Sequence, residues 1–562
     1  MRKIIVVIKH IVHKVLLLKL VSRVLFLNFG GTKKFNLNSG NGNPSTMFLI
    51  HIFQYLNYHD RLVASAVCKK WLNATNCRFL LSDINCTVPR SPEARTILFR
   101  MTRRFHNFSF SSAVICNLAL EFLKQFKDQF ISLQFQNCYV DSQLYMRHGN
   151  RVSICENLQK LTVCNSSAFL LIMSFPNLVD LNIQLNTLTE GQIRHLNHAS
   201  PKLKKLVINA KVTCFPAFKN FIARCSDTLK VLDIIETCLL PNAVIELSQI
   251  QDLKLEKMIV DPSLPVEQIT DVFRNQRHLT SLDLSDLRDP STVTDEIVRI
   301  ICHNLRDLED LILSYAENID KSIVEICQLG KLRKLNLSFC SKISLSSFCK
   351  AFDHMKLSKL EYLNLGCTLI ADEPLVKLLI QNKNINYLDL KFTCISDTIL
   401  KLIWKNLTKL THLKIPYCSK LSDSGLIEEI EYNAAIGKAG INDDAMNVDK
   451  EMKDNEASKH NNAGVCASLS NLKNLRVLDI SRNSNFTWIG CLKSIKFQHL
   501  EKLYLKECQQ LKSDSPFLNQ LREQNPSLEE VEFLEVVAME DDEMEEADQL
   551  FPQHFGLVRN YQ

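Results

Sequence analysis

The sequence predicts an α/β solenoid, with parallel strands on a concave face and helices on a convex face, preceded by a small all-helical domain. A short apolar pattern recurs at intervals of 20 to 29 residues along most of the chain. A separate apolar block with helical periodicity stands ahead of the first copy. The length of 562 residues is also too great for one compact core, which favours a solenoid or several domains.

The clearest copy of the repeat runs from Leu410 to Leu426. Its first half, L-x-x-L-x-L, predicts a short strand whose alternate residues point inward. Cys418 falls at the turn, and the S-D-S-G-L portion predicts a helix capped by Ser422 or Asp423. A unit with one apolar face cannot bury that face alone, so it must stack on further copies of itself.

The copies span predicted residues 87–535 and show the spacing of leucine-rich repeats. By first apolar residue they start at Phe105, Phe130, Leu158, Leu178, Leu203, Leu229, Ile250, Leu279, Leu308, Leu332, Leu360, Ile385, Leu410, Leu475, Leu500 and Leu528. The interval from Leu410 to Leu475 is too long, and its polar excess at about 434–463 predicts a disordered surface loop. The acidic tail at 536–562 is also predicted to be disordered.

Residues 1–46 are predicted to form a poorly ordered segment, basic and apolar at first and then a linker. Lys9, Lys14, Lys19 and Arg23 interrupt its apolar runs, so no uncharged stretch of ~20 residues is available to span a bilayer. A surface-lying basic helix, a targeting peptide and a misassigned gene start all remain open. We favour the misassigned start.

The block at 47–86 predicts two or three short helices. Leu49, Ile52, Phe53 and Leu56 have the i, i+3, i+4, i+7 spacing of one helical face. A second helical set follows Asp60, which is placed to cap it, and consists of Leu62, Ala66, Val67 and Trp71.

Three elements in this block stand at the spacing of the F-box, which the block therefore resembles. They are Ile52-Phe53-x-Tyr55-Leu56, Asp60-x-Leu62 and Val67-Cys68-Lys69-x-Trp71. The usual Leu-Pro opening is absent, and Pro44, Ser45 and Met47 occupy its place. The resemblance implies an adaptor-binding surface made by Leu49, Ile52, Phe53, Leu56, Asp60, Leu62, Val67, Cys68 and Trp71.

The repeat form L-x-x-L-x-L-x-x-C resembles the cysteine-containing subtype that often follows an F-box. The whole chain is therefore similar to F-box and leucine-rich-repeat proteins, which are substrate receptors of SCF-type ubiquitin ligases. This resemblance implies an SCF adaptor as partner and, through it, a cullin and a RING subunit, with a protein substrate held on the repeats. The separate RING–cullin partner performs ubiquitin transfer in that family, so the chain itself is expected not to be an enzyme.

Composition and motifs exclude several other classes. The net charge is +6 without a dense basic run, which does not favour nucleic-acid binding. No P-loop, G-x-G-x-x-G, H-E-x-x-H or G-x-S-x-G occurs, so we expect no catalytic site and no cofactor. The pair His195 and His198 lacks a neighbouring carboxylate, and no metal is expected.

The cysteines favour a reducing compartment. Twenty are present without any C-x-x-C pair, and Cys138, Cys340, Cys418 and Cys508 take the turn position of the repeat. A small buried apolar residue suits that position, which predicts reduced thiols in the cytoplasm or nucleus.

Two sets of aromatic residues are candidates for substrate binding. The residues two places after the third apolar position include Tyr315, Phe339, Phe392 and Tyr417, and Cys367 interrupts the aromatic series. Equivalent positions stack in a solenoid, so we expect a continuous ridge, although these rings could instead pack between coils. Strand alternation points Tyr362, Tyr387 and His412 to the concave side.

One other function stays open at this point. The chain could be a leucine-rich-repeat scaffold without ligase association, either cytosolic or secreted. The apolar N-terminal segment and seven N-x-[ST] sequons favour that alternative, whereas the F-box spacing favours the ligase receptor.

Overall fold

A computed structural model describes residues 44–56, 58–82, 84–88, 103–112, 114–115, 117–140, 153–166, 173–199, 202–234, 237, 239, 241–259, 265–285, 292–429, 465–508 and 515–532. The predicted loop at 434–463, the tail at 536–562 and residues 1–43 of the N-terminal segment lie outside this range. The chain separates into two compact units, 1–255 and 256–562.

The first unit opens with four short helices. They are α1 Pro44–Phe53, α2 Tyr58–Ser65, α3 Lys69–Thr75 and α4 Arg78–Leu81. Their interior contains Ile52, Phe53, Leu56, Ala64, Ala74 and Leu80. Helix α2 begins before Asp60 and ends at Ser65, so the prediction of an Asp60 cap and of one helix reaching Trp71 was wrong. The break lies at Cys68, whose extended backbone (φ −162°, ψ 166°) starts α3.

A buried arginine fixes the helices to each other. Arg61 is 9 % exposed, and its guanidinium donates hydrogen bonds to the carbonyl oxygens of Phe53, Leu56 and Leu80 at 2.8–3.0 Å. These carbonyls lie at the ends of α1 and α4, where the helices leave backbone acceptors without an internal partner. No sequence pattern indicates this role of Arg61.

The rest of the first unit is a parallel sheet with irregular connections. Its strands are β1 Asn85–Val88, β2 Asn107–Ser111, β3 Val114–Ile115, β4 Ser132–Gln136, β5 Tyr139–Val140, β6 Ser153–Ile154, β7 Lys160–Cys164, β8 Met173–Ser174, β9 Asp180–Leu188, β10 Lys205–Val212 and β11 Val231–Asp233. Its remaining helices are α5 Asn117–Phe126, α6 Glu190–Ala199, α7 Phe215–Arg224 and α8 Pro241–Ser248. Strands β1, β2, β4, β7, β9, β10 and β11 pair in that order, all parallel. Strand β1 was not predicted; it pairs with β2 ahead of the first recognised repeat.

The second unit is the regular part of the solenoid. Its strands are β12 Lys257–Ile259, β13 Ser281–Asp283, β14 Asp310–Ile312, β15 Lys334–Asn336, β16 Tyr362–Asn364, β17 Tyr387–Asp389, β18 His412–Lys414, β19 Ile427–Glu429, β20 Val465–Ser468, β21 Val477–Asp479, β22 Lys502–Tyr504 and β23 Glu530–Glu532. Its helices are α9 Val266–Asn275, α10 Asp295–Asn304, α11 Ile323–Ile326, α12 Leu345–Asp353, α13 Asp372–Gln381, α14 Asp397–Asn406, α15 Asp423–Leu426, α16 Trp488–Ser494 and α17 Ser515–Gln524, with a 3₁₀ turn at Leu469–Asn471.

Strands β12 to β18 and then β21 to β23 form one parallel series. The inward leucines are in register from strand to strand, at Leu335, Leu363, Leu388, Leu413, Leu478 and Leu503. All of them are at most 1 % exposed, so the predicted apolar column forms the core. The predicted leucine-rich-repeat solenoid after a small helical domain is confirmed.

One repeat start was predicted in the wrong place. Strand β12 lies at Lys257–Ile259 with Met258 turned inward, so its repeat begins at Leu255 and not at Ile250. Residues Ile250 to Leu253 form the turn after α8, with the Leu253 amide donating to the Ile250 carbonyl. Because Leu253 and Leu255 are both apolar, the sequence pattern fits either register.

The long interval after Leu410 leaves the sheet uninterrupted. Strand β18 pairs directly with β21, His412 opposite Val477, although 65 residues separate them. Helix α15 ends after four residues and leads into β19, which pairs antiparallel with β20. The segment between Glu429 and Val465 therefore starts and ends at one two-stranded stem.

Candidate functional site

The structure divides the predicted adaptor-binding residues into three groups. Ile52, Phe53 and Leu56 are at most 4 % exposed and form the interior of the helical domain, so they offer no surface in the free chain. Leu49, Asp60 and Trp71 are half-buried, and the Trp71 ring meets Phe53 edge-on at 5.1 Å between centroids. Leu62, Val67 and Cys68 are exposed.

Exposed apolar side chains are concentrated on these helices. Ten large apolar residues of the described chain are exposed, and six of them fall between residues 47 and 79. The six are Met47, Tyr55, Tyr58, Leu62, Val67 and Phe79, exposed by 37–64 %. Four of the six, Met47, Tyr55, Tyr58 and Phe79, were not among the predicted adaptor-binding residues. Several exposed apolar side chains on one small domain are typical of a protein-binding surface.

The strands place a row of rings on the concave face. Tyr362, Tyr387 and His412 lie opposite one another on β16, β17 and β18. The two tyrosine rings stack at 4.2 Å between centroids with an interplanar angle of 11°, and His412 follows at 5.6 Å. All three are half-buried. We call these residues the concave aromatic row.

The second predicted set lies where the strands end. Tyr315, Phe339, Phe392 and Tyr417 all have positive φ, between 52° and 67°. Each donates its backbone N–H to a carbonyl of the next repeat at 2.9–3.0 Å, which holds the residue in this left-handed conformation. The rings stack in two pairs, each 4.4 Å between centroids: Tyr315 on Phe339, and Phe392 on Tyr417. Cys367 separates the pairs, so the expected continuous ridge is instead two stacked dimers.

Three lysines approach these rings. The Nζ of Lys334 lies 4.8 Å from the centroid of Tyr362, and that of Lys414 lies 5.8 Å from Tyr387. The Nζ of Lys391 lies 4.7 Å from the centroid of Phe339, two strands away. Gly366 gives Lys391 this path, because a Cβ there would lie 2.6 Å from the lysine Cγ. We call the aromatic row and these three lysines the central concave patch.

Three acids of the sheet lie beside the patch, and one of them is buried. Asp310 lies opposite Lys334 in register, and Asp479 lies opposite Lys414. Asp389 is 4 % exposed, and its carboxylate accepts the backbone N–H of Lys391 at 3.0 Å. Burial raises the pKa of this carboxyl, against the opposing effects of that hydrogen bond and of the Lys391 and Lys414 charges. Burial likewise raises the pKa of Tyr362 and Tyr387, and burial and Lys414 lower the pKa of His412. Both tyrosines and His412 are therefore uncharged at neutral pH.

The turn cysteines have a structural role. The Sγ atoms of Cys138, Cys340, Cys418 and Cys508 each donate to a carbonyl of the preceding repeat at 3.1–3.5 Å. Burial raises the pKa of Cys340 and Cys418 to about 12. All cysteines of the described residues are free thiols.

The described ranges contain neither a metal-ligand cluster nor a helix suited to a membrane. No group of three or more histidine, cysteine, aspartate or glutamate side chains comes together there as a metal site would require. Helices of membrane-spanning length and apolarity do not occur among them either.

A family model described as F-box-like matches residues 48–87, the region of α1 to α4. The chain therefore carries an F-box-like domain ahead of a leucine-rich-repeat solenoid. A comparison with curated protein sequences gave no match.

Several solved structures are similar at low identity. The Rad7 and Elc1 complex of yeast has 14 % identity and a TM-score of 0.36, covering 68 % of this chain and 79 % of that chain. The mouse RP105/MD-1 complex has 15 % identity and a TM-score of 0.38, with coverages of 76 % and 67 %. The TLR13–ssRNA13 complex has 15 % identity and a TM-score of 0.41, with coverages of 76 % and 60 %. Scores this low carry no functional argument, and the fold assignment rests on the strands and repeats described above.

Proposed function

We propose that this protein is the substrate-recognition subunit of an SCF-type ubiquitin ligase. In this proposal the F-box-like helices bind the SCF adaptor and, through it, the cullin and the RING subunit. The leucine-rich repeats bind the protein to be ubiquitinated through the concave face. The proposal places the protein in the cytoplasm or nucleus, where those partners are found.

The observation that carries the adaptor part is the concentration of exposed apolar residues on α1 to α4. A domain of about forty residues has a small core, and apolar side chains left outside it are stabilised when a partner covers them. Leu62 and Val67 combine this exposure with F-box spacing. Ile52, Phe53 and Leu56 support the surface from below.

The test compares two pairs of exposed apolar residues in the full chain. Leu62→Asp with Val67→Asp should abolish co-purification of the SCF adaptor and cullin from cells, because a buried charge opposes docking. Ile380→Asp with Ile489→Asp changes equally exposed residues of the solenoid and should retain both partners. Adaptor binding that survives the first pair, or a wild-type chain that brings down no adaptor, contradicts the proposal and favours a scaffold without ligase association.

The substrate part rests on the concave aromatic row. Aromatic side chains held on a rigid surface are frequent anchors of protein interfaces. In the same purification, Tyr362→Ala with Tyr387→Ala should keep adaptor and cullin while losing ubiquitinated client proteins. If the thermal midpoint of the double variant falls sharply, the two tyrosine rings stabilise the fold and are not a substrate-binding site.

A further inference from the structure

The three lysines of the central concave patch differ from three other basic residues on the same face. Lys502 pairs with Glu530 at 2.5 Å, Lys506 pairs with Glu532, and Arg482 pairs with Glu507 at 2.6 Å. Over the described residues, Lys334, Lys391 and Lys414 form no ion pair. Lys334 directs its ammonium to the Tyr362 ring and not to Asp310, its neighbour in register on β14.

The rings hold the lysines without neutralising them. A cation over an aromatic face at an exposed site gains far less than a full charge partner supplies in a desolvated one. Asp389 and Asp479 offset part of the charge of Lys391 and Lys414. Asp389 is 4 % exposed, and each of the two carboxylates accepts a backbone N–H, from Lys391 and Ser481 respectively. The patch thus presents to solvent three oriented ammonium groups beside stacked rings.

Strand geometry sets the distance between these charges. Lys334 is on β15 and Lys414 on β18, three strands away. Neighbouring strands are ~4.8 Å apart, so the two positions are separated by ~14 Å along the sheet. An extended peptide rises ~3.3 Å per residue, and ~14 Å corresponds to about four residues.

We propose that the central concave patch binds an extended acidic segment of a partner protein, with Asp or Glu side chains about four residues apart. Carboxylates of the segment pair with Lys334, Lys391 and Lys414, and the tyrosine row contacts the segment between them. This inference rests on the proposed function, since the segment would belong to the substrate. It adds the chemical class of that substrate.

The test uses the full chain and fluorescein-labelled twelve-residue peptides with three glutamates at every second position, so that the outer two are four residues apart. We expect binding at low salt that weakens as salt rises, and at least tenfold weaker binding of the glutamine peptide, about 1.4 kcal/mol. Moving the glutamates to adjacent positions should also weaken binding. Equal binding of the glutamate and glutamine peptides overturns the proposal.

Two lysine variants distinguish binding by the central concave patch from general attraction to the positive charge of the face. The triple variant Lys334→Ala, Lys391→Ala and Lys414→Ala should bind the glutamate peptide at least tenfold more weakly. Lys502→Ala with Lys506→Ala removes two ion-paired lysines from the same face and should change binding less than twofold. Equal losses in the two variants overturn the assignment. Thermal midpoints of both variants, measured alongside, should match that of the wild type.

The same assay also tests two other ligands for the central concave patch. Binding seen only with phosphoserine in place of glutamate overturns the carboxylate assignment. Peptide binding that appears only after residues 533–562 are removed overturns the partner assignment and indicates the chain's own acidic tail. Adaptor binding by the same samples is scored separately, so failure of the peptide result and failure of the ligase proposal are distinguishable.

Discussion

At the scale of single residues, a thiol stabilises each turn only while it is protonated. Cys340 and Cys418 are fully buried and donate to carbonyls of the preceding repeat, Leu313 and Leu390. A buried thiolate has no solvent to stabilise it. Burial raises the pKa of both thiols from 9.0 to about 12, because it outweighs the opposing hydrogen bonds from the Ala316 backbone to Cys340 and from Thr393 to Cys418. Both thiols therefore remain neutral in the folded chain over a wide alkaline range.

This shift predicts loss of stability at alkaline pH. The pKa of each thiol is higher in the folded chain than in the unfolded one. Its contribution to the free energy of unfolding is therefore complete below pH 9 and is lost as pH rises from 9 towards 12. Each thiol should lower the free energy of unfolding by about 1.4 kcal/mol per pH unit in that window. Cys340→Ala with Cys418→Ala should lower stability at pH 8 but make its decline above pH 9 shallower, as measured by urea unfolding.

The exposed Cys68 provides the control. Cys68→Ala should change the free energy of unfolding at pH 8 by less than about 0.5 kcal/mol, because that side chain is exposed and makes no cap hydrogen bond. An unchanged slope in the buried pair would mean that the two thiols ionise as readily in the folded chain as in the unfolded one.

The four aromatic residues at the ends of the strands show that a repeat pattern can predict a position without predicting its backbone conformation. Sequence alignment of the repeats correctly collected Tyr315, Phe339, Phe392 and Tyr417 into one column. It could not reveal their positive φ, because left-handed backbone is usual for glycine or asparagine and costs other residues about 1–2 kcal/mol. The hydrogen bond to the next repeat and the ring stacking, worth ~0.5–1.5 kcal/mol per pair, offset that cost. Both depend on the neighbouring coil.

At the scale of elements, an aspartate at the start of one helix caps the next. Asp397 accepts the backbone N–H of Ser422 at 2.8 Å and its hydroxyl at 2.6 Å. Ser422 in turn accepts the N–H of Ser424 as the N-cap of α15. Asp295, Asp320, Asp372 and Asp423 make the equivalent contact with the following repeat.

A glycine makes room for this contact in the later repeats. A Cβ on Gly425 would collide with Asp397, and one on Gly490 would collide with Asp423. The S-D-S-G motif predicted that Ser422 or Asp423 would cap α15, and the structure shows Ser422. That Asp423 serves the next repeat could not be seen, because its partner Thr487 lies 64 residues later.

These aspartates, which we call the aspartate ladder, should stabilise the chain more than exposed aspartates do. Asp397→Ala should destabilise the chain by about 1–3 kcal/mol, because it removes the partner of a backbone N–H and a hydroxyl at a packed repeat boundary. Asp397→Asn keeps one carbonyl oxygen and should cost less. Asp307→Ala removes an exposed pair with Lys331 and should change stability by less than about 1 kcal/mol. Thermal midpoints of the three variants that coincide would contradict the ladder.

At the scale of the whole molecule, the repeat period determined most of the fold. The parallel strands from Leu279 onward lie where the leucines predict, since the buried column has one position per coil and no competing register. The antiparallel pair β19 and β20 was not predicted. The prediction was poorest where that column is ambiguous or absent. Examples are Ile250, where two registers fit, strand β1, which has no leucine pattern of its own, and α2, whose apolar spacing continued past its end. The candidate rings were found by alternation, but the lysines beside them were not, because their partners lie one or two strands away.

The insertion after α15 gives the last prediction. Three structural features cross it unbroken: β18 pairs with β21, Asp423 accepts from Thr487 at 2.9 Å, and the Asn483 side chain accepts the N–H of Cys418 at 2.8 Å. Deleting residues 434–463 leaves residues 430–433 and Gly464 between the paired ends Glu429 and Val465, a length that suits a hairpin with an Asn-Gly junction. Loop closure costs only ~0.6 kcal/mol per doubling of length, so the thermal midpoint should hardly change. A fall of ten degrees or more, roughly 2–5 kcal/mol at this size, would show instead that the deleted residues pack on the solenoid. Adaptor binding by the deleted chain should equal that of the full chain, because the F-box-like domain lies in the other compact unit.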